Sequence, residues 1–204
     1  MAKRPYEQRL RAESAEATRS RVLDALYDRL GEAPARPITV DEIAVRAGVA
    51  RSTIYLVFGS RRGLFDALLE RVLQGAGYDQ ILQAVRNPDA RETLEGGLDG
   101  GVRMYAAHHD VFRVLFSMAK LDPDGVGRTI AMTEQRRTAG MATLARRLGD
   151  QKLLRRGLTP ERAAHVLWVL ASFDAYDLLV TGRGLSTDEA AAILVETAEH
   201  ALLA

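Results

Sequence analysis

One group of side chains in this sequence invites a metal-site reading, His108-His109 followed by Asp110. Neighbouring residues on a helix point ~100° apart, so the two imidazoles cannot share an ion unless the helix breaks between them. A helix end, where cationic or hydrogen-bonding side chains meet free carbonyls, accounts for them better. His165 and His200 stand alone, and no serine, histidine and carboxylate fall together at a spacing useful for nucleophilic catalysis. The chain has no cysteine, which removes thiolate catalysis, disulfides and zinc fingers at once. The expectation is a protein with no catalytic residues, no metal and no cofactor. What remains is charge. Residues 1–62 carry 12 lysines and arginines against 8 acidic residues, whereas the remainder carries 16 against 19. A basic N-terminal part on a mildly acidic body suggests one face for a polyanion and another for something else.

The elements that must carry these residues read as helices almost throughout. Val22, Leu23, Leu26, Tyr27 and Leu30 recur at three and four residues, a one-faced helix ended by Gly31, Pro34 and Pro37. Thr39 opens the next, with Glu42 three residues on, in the capping-box pattern TVDE. Leu64, Phe65, Leu68, Leu69, Val72 and Leu73 form a further stripe running to about Gly75. Helices are also expected near 88–107, 110–120, 125–150, 159–182 and 186–203, giving an all-α fold of about nine helices. Hydrophobic residues make up 47% and charged residues 27%, the balance of a soluble globular protein. No apolar run reaches the ~18 residues of a membrane span, because Asp174 and Asp177 interrupt the best candidate. The start MAKRPYEQRLRAE lacks the apolar segment of a secretory signal, so a cytoplasmic location with no membrane partner is expected.

The stretch GVARSTIYLVF, residues 48–58, conflicts with this picture, since its β-branched and aromatic residues favour a strand. It is too short to supply its own hairpin partner, and a lone strand would leave its backbone groups unpaired. Read from Val40 the spacing is that of a helix-turn-helix: Ile43 and Ala44 in the first helix, Gly48 in the tight turn, Val49 and Ile54 closing the small core.

The stretch TVDEIAVRAGVARSTIYLVFGSRRGLFDALLERV, Thr39 to Val72, resembles the DNA-binding signature of the TetR (tetracycline-repressor-like) family. A looser similarity to that family's ligand domain covers Thr159 to Ser186. The resemblance implies an N-terminal three-helix helix-turn-helix DNA-binding domain over 1–60 and a larger helical ligand-binding and dimerisation domain over 61–204. It also implies roles by position. Arg51, Ser52 and Thr53 start the recognition helix, with Arg51 the candidate for bidentate reading of a guanine. Tyr55 stands where the family sets a tyrosine against the DNA backbone, and Thr39 matches a phosphate-contacting position. Arg61 replaces a usual lysine and would clamp a phosphate. Ala50 departs from a common serine and removes a helix cap; Leu56 and Val57 depart from polar or aromatic residues and either touch a thymine methyl or pack. The basic arm, with Lys3, Arg4, Arg9 and Arg11, is either a solvated tail or a minor-groove or phosphate contact.

Large, adaptable apolar residues crowd the body. Most are core, but Met104, Tyr105, Phe112, Phe116, Met141, Trp168, Phe173 and Tyr176 are also the types that line a ligand pocket between helices. The glycine pairs Gly96-Gly97 and Gly100-Gly101 share a helical face and suit close helix packing. The segment 159–182 is apolar nearly all round, and with the alanine-rich last helix it suggests a four-helix homodimer interface, as the resemblance also implies. Asp177 and Arg183 are placed to pair near its end. The expected partners are operator DNA, a small-molecule effector and a second copy of the chain; the expected function is a regulator, usually a repressor, released from a palindromic operator by its effector. The alternatives are a regulator switched by a protein partner and a helical small-molecule enzyme.

Overall fold

The computed structural model describes residues 3–32, 38–74 and 77–204, with side chains from Glu13 onward. Pro34, Pro37, Gly75 and the side chains of Lys3, Arg4, Arg9 and Arg11 lie outside the described residues. Eleven helices are described: α1 (Lys3–Glu32), α2 (Val40–Ala47), α3 (Arg51–Phe58), α4 (Arg61–Leu73), α5 (Tyr78–Arg86), α6 (Ala90–Ala107), α7 (His109–Leu121), α8 (Val126–Asp150), α9 (Pro160–Leu170), α10 (Phe173–Arg183) and α11 (Thr187–Leu202). The all-α expectation holds, and a lone bridge between Leu154 and Leu203 is the extent of β pairing among the described residues.

The helices pack as two compact units, Met1–Arg71 with Arg113–Thr129, and Val72–Phe112 with Ile130–Ala204. Residues of α4, α7 and α8 are thereby divided between the two units. In the first unit Val22, Leu26 and Leu30 of α1, Ile43 of α2 and Ile54 of α3 are fully buried. Gly48 makes the turn between α2 and α3 with φ 64, ψ 38, and its N–H bonds back to the end of α2. A side chain with a Cβ is strained in that left-handed region. Thr39 caps α2 by accepting from the Glu42 N–H at 3.2 Å. The Glu42 carboxylate accepts from Arg29 Nε at 2.5 Å, and Arg29 is only 2% exposed. Ala50 caps α3 with its backbone alone. Burial of Ile54 and Phe58 on one side of α3 decides the strand-or-helix conflict, tertiary packing overriding propensity.

The second unit is built on α6, α8, α9 and α11, whose Leu94, Leu98, Leu148 and Leu167 pack with Ala145, Ala163 and Ala198. The small residues let the helices approach closely. Two features differ from the expected helices. The first is α5, a nine-residue helix too short for its period to stand out between breakers. The second is a break in the segment 159–182: Ala171 ends α9, its carbonyl accepts from the Tyr105 hydroxyl at 3.3 Å, and Ser172 caps α10 by accepting from the Ala175 N–H at 3.1 Å. No single described helix is long and apolar enough to cross a membrane.

The glycine pairs divide. A Cβ on Gly96 would meet the Ala84 Cβ at 3.0 Å, and one on Gly100 would meet the Gly77 carbonyl at 2.9 Å and the Ile81 nitrogen at 3.1 Å. These two let α5 lie against α6. A Cβ on Gly97 or Gly101 meets nothing within 4 Å among the described residues. Gly97→Ala is therefore expected to raise stability, by up to about 1 kcal/mol from helix propensity. Gly100→Ala is expected to lower it by roughly 1–3 kcal/mol, because backbone has to move. Chemical denaturation midpoints of the two variants check the opposite signs.

Candidate nucleic-acid interface

Helix α3 has a dry side and a wet side. Ile54 and Phe58 face inward, while Arg51, Ser52, Tyr55 and Leu56, related by one and four residues, are exposed; Thr53 and Val57 are half-buried between the two faces. Leu56 is 86% exposed, so it does not pack against the core and belongs to the wet side with Arg51.

The Arg51 guanidinium has defined neighbours. Its Nη1 lies 2.9 and 3.2 Å from the two carboxylate oxygens of Asp41, and its Nη2 donates to the Tyr55 hydroxyl at 3.4 Å. The Tyr55 ring lies beneath the guanidinium, 5.6 Å from its centre. The hydrogen bond to Tyr55, with the charge of Asp41, pushes the Arg51 pKa up from its already high value, so this side chain is a permanent cation. Having accepted from Arg51, the Tyr55 hydroxyl keeps its own proton to donate, a suitable arrangement toward a phosphate oxygen. The exposed Thr39 hydroxyl, which accepts from Glu42, likewise keeps a proton to give.

Arg61 is arranged differently. Its Nη1 lies 2.7 Å from the Asp122 carboxylate, and its guanidinium stacks over Phe65 at 5.1 Å. This hydrogen bond is the main reason Asp122 sits below the usual carboxylate range. The structure thus brings Arg51 and Tyr55 of α3 together beside Asp41 of α2, sets Thr39 and Arg61 on the walls of one small crevice, and gives Arg61 a carboxylate partner of its own. Sequence reasoning took TVDE as a cap and passed over Asp41, whose partner lies ten residues on across the turn.

In the second unit, four of the eight candidate pocket residues form one aromatic cluster. Tyr105 meets Phe112 edge-on at 5.1 Å, Phe173 at 5.5 Å and Tyr176 at 6.2 Å. All four are buried, and Met104 is buried as well. His109 joins them, 5.8 Å from both Phe173 and Tyr176, and its Nε2 lies 2.6 Å from Asp177. Asp177 also accepts from the Thr181 hydroxyl at 2.7 Å. The expected Asp177–Arg183 pair is thereby corrected: the carboxylate is taken by His109, a partner 68 residues away that no local pattern reveals. Trp168 is 41% exposed with the Arg137 guanidinium over its ring at 4.8 Å, Met141 is half-buried beside the α6–α8–α9–α11 core, and Phe116 belongs to the first unit. A separate open groove of about 640 Å³ lies among α5, α6 and α11, with Gln80, Asp99, Arg103 and Asp188 on its walls. It shares no residue with the eight candidates.

An all-α chain with a helix-turn-helix and an exposed recognition face defines a helical DNA-binding class. Residues 22–68 match the family described as bacterial regulatory proteins, tetR family. The chain is 32% identical over 108 residues to the HTH-type transcriptional repressor SCO4008 of Streptomyces coelicolor, covering 52% of this chain and 51% of that protein. It spans about half the length of the curated relatives it matches. Among solved structures it superposes on NalD, the secondary repressor of the MexAB-OprM multidrug efflux pump in Pseudomonas aeruginosa, with TM-score 0.74, 22% identity and coverage of 94% and 98%. It superposes on the SmeT–triclosan complex with TM-score 0.73, 18% identity and 92% coverage of each chain. Residues 22–68 thus carry the TetR-family match, and the fold of the chain is that of solved TetR-family regulators. The relatives are transcriptional regulators, not enzymes.

Burial pushes the Tyr105 phenol up to about 12. An unfolded chain ionises that tyrosine near pH 10, so its contribution is fully present below pH 10 and is lost as pH rises toward 12. About 3 kcal/mol of stability should disappear across that window. Denaturation midpoints measured from neutral to alkaline pH should show this fall in the native chain and a shallower one in Tyr105→Phe.

Proposed function

We propose that the chain is a homodimeric transcriptional regulator, a repressor that a small-molecule effector releases from a near-palindromic operator. The observation that carries this reading is the wet face of α3, where a permanently charged Arg51, Ser52 and Tyr55 stand opposite the buried Ile54 and Phe58. Two such helices enter successive major grooves about 34 Å apart. Arg51 reads a guanine, Ser52 and Thr53 serve base edges or flanking phosphates, Thr39 and Tyr55 donate to phosphates, and Leu56 supplies an apolar contact suited to a thymine methyl.

The dimer forms through the last helices. Val169 of α9, Leu178 of α10 and Ile193 of α11 leave large apolar side chains exposed, which a second copy would cover. The effector is a small, largely apolar molecule that enters the body at Tyr105, Phe112, Phe173 and Tyr176, where aromatic walls meet the polar His109–Asp177 pair. The triclosan of the SmeT complex and the drug-efflux setting of NalD support a ligand of that kind. Release requires that effector and operator prefer different conformations. The close contact of the four rings favours a second reading, in which a protein partner switches the chain and no effector enters. An aromatic small-molecule library scored by thermal shift, with Tyr176→Ala as control, separates the two: no shift by any member supports the partner.

The division of labour at the DNA face is tested by two substitutions. Arg51→Ala should lower discrimination between the best-bound duplex and a scrambled one by roughly tenfold or more. Arg61→Ala should weaken binding to both duplexes alike and reduce the salt slope of binding by about one unit, since Arg61 can leave Asp122 for a phosphate. Equal effects of the two variants on both duplexes would contradict the assignment.

A further inference from the structure

Asp41 has no part in the reading above, yet it makes the shortest polar contact Arg51 has. We propose that Asp41 is a positioning residue that sets the guanine preference of Arg51, a role that rests on Arg51 reading DNA as proposed above.

The geometry supplies the argument. A long arginine on the first residue of a recognition helix reaches base edges at lower entropic cost when its many rotamers are already narrowed. Here two elements narrow it: Asp41 on α2 holds Nη1 with both carboxylate oxygens, and Tyr55, one turn further along α3, holds Nη2 and lies under the plane. Nη2 carries two hydrogens, so with Nη1 on Asp41 and the inner Nη2 hydrogen on Tyr55, the Nε–Nη2 edge is the side of the fork that can present two parallel N–H groups. Guanine O6 and N7 are the pair of acceptors matching that edge in the major groove. The alternative use of the same cation, as a phosphate contact, can also be bidentate but gains nothing from a carboxylate beside it. A negative charge at that place instead repels the phosphate backbone, so it penalises docking in which Arg51 finds no base.

The pair does not exist to hold the fold. Arg51 and Asp41 are 57% and 63% exposed, and exposed ion pairs contribute little to stability. The neighbouring carboxylate, Glu42, is the one turned inward to Arg29. Asp41 also lies in the first turn of α2, where an acidic side chain suits the helix dipole. That structural role is independent of Arg51, and the two roles are separable by experiment.

The probe is the duplex that the wild-type chain selects from a random-sequence pool, with a scrambled duplex of the same composition beside it. Affinities for both are measured for wild type, Asp41→Asn, Arg51→Ala and the double variant. Asp41→Asn should leave the denaturation midpoint close to wild type, bind the selected duplex several-fold more weakly and bind the scrambled duplex more tightly. In the Arg51→Ala background the same substitution should leave the selected-to-scrambled ratio unchanged, because no guanidinium remains to be positioned. If Arg51→Ala relaxes the ratio while Asp41→Asn either leaves it intact or lowers it equally in both backgrounds, the role given to Asp41 is wrong and the reading of Arg51 stands. If Arg51→Ala leaves the ratio at its wild-type value, or the pool yields no preferred duplex, the reading beneath it falls and takes this one with it.

Discussion

A guanidinium that is 2% exposed must find a carboxylate where it sits, since an unpaired buried charge costs several kcal/mol. Arg29 of α1 meets that demand with Glu42 of α2, and this constraint orders the first unit. It fixes α2 rotationally against α1, with Ile43 and Ala44 on the buried side. The residue before Glu42 is then turned about 100° away, toward the open side. That residue is Asp41, and the cation that meets it is Arg51. One inward pair and one outward pair, on consecutive residues of the same short helix, connect the core of the unit to its candidate DNA face.

The two pairs differ in kind. Arg29–Glu42 is buried on the arginine side and specifies geometry. Arg51–Asp41 is exposed, costs little to open and holds a group in readiness. Arg61 is a third case: Asp122 and the Phe65 ring hold it within the first unit, so a phosphate has to compete for it. Charge on this face is thus metered by carboxylates rather than displayed freely, which suits discrimination among sequences more than general affinity.

Much of this was legible in the sequence because it is local. Thr39 with Glu42, Gly48 at the turn, and the stripe Leu64-Phe65-Leu68-Leu69 are patterns of three or four residues with direct physical meaning; the structure realises the turn, the stripe and the Thr39 half of the capping box, while the Glu42 carboxylate meets Arg29. The strand-like composition of α3 misled only until its neighbours were weighed. What could not be read was set by distant partners. At the break between α9 and α10 Tyr105 donates to the Ala171 carbonyl and Ser172 caps the new helix, with no glycine or proline to announce it. Asp177 looked placed for Arg183 along its own helix and instead meets His109. Trp168 looked like a pocket wall and is half-open beneath Arg137. In the glycine pairs, period alone could not tell that a Cβ on Gly96 or Gly100 would meet α5 or the turn before it, while one on Gly97 or Gly101 would meet nothing within 4 Å among the described residues.

The central claim is that the wet face of α3 lies in the major groove with Arg51 at a guanine, once in each half of a two-fold site. Methylation of guanine N7 in the selected duplex tests it most directly, because that atom is an acceptor Arg51 would use. The account predicts that methylation blocks binding at two symmetry-related guanines about one helical turn apart, and that Arg51→Ala abolishes this sensitivity. Binding indifferent to methylation at every guanine N7, or a block that persists unchanged in Arg51→Ala, would contradict it.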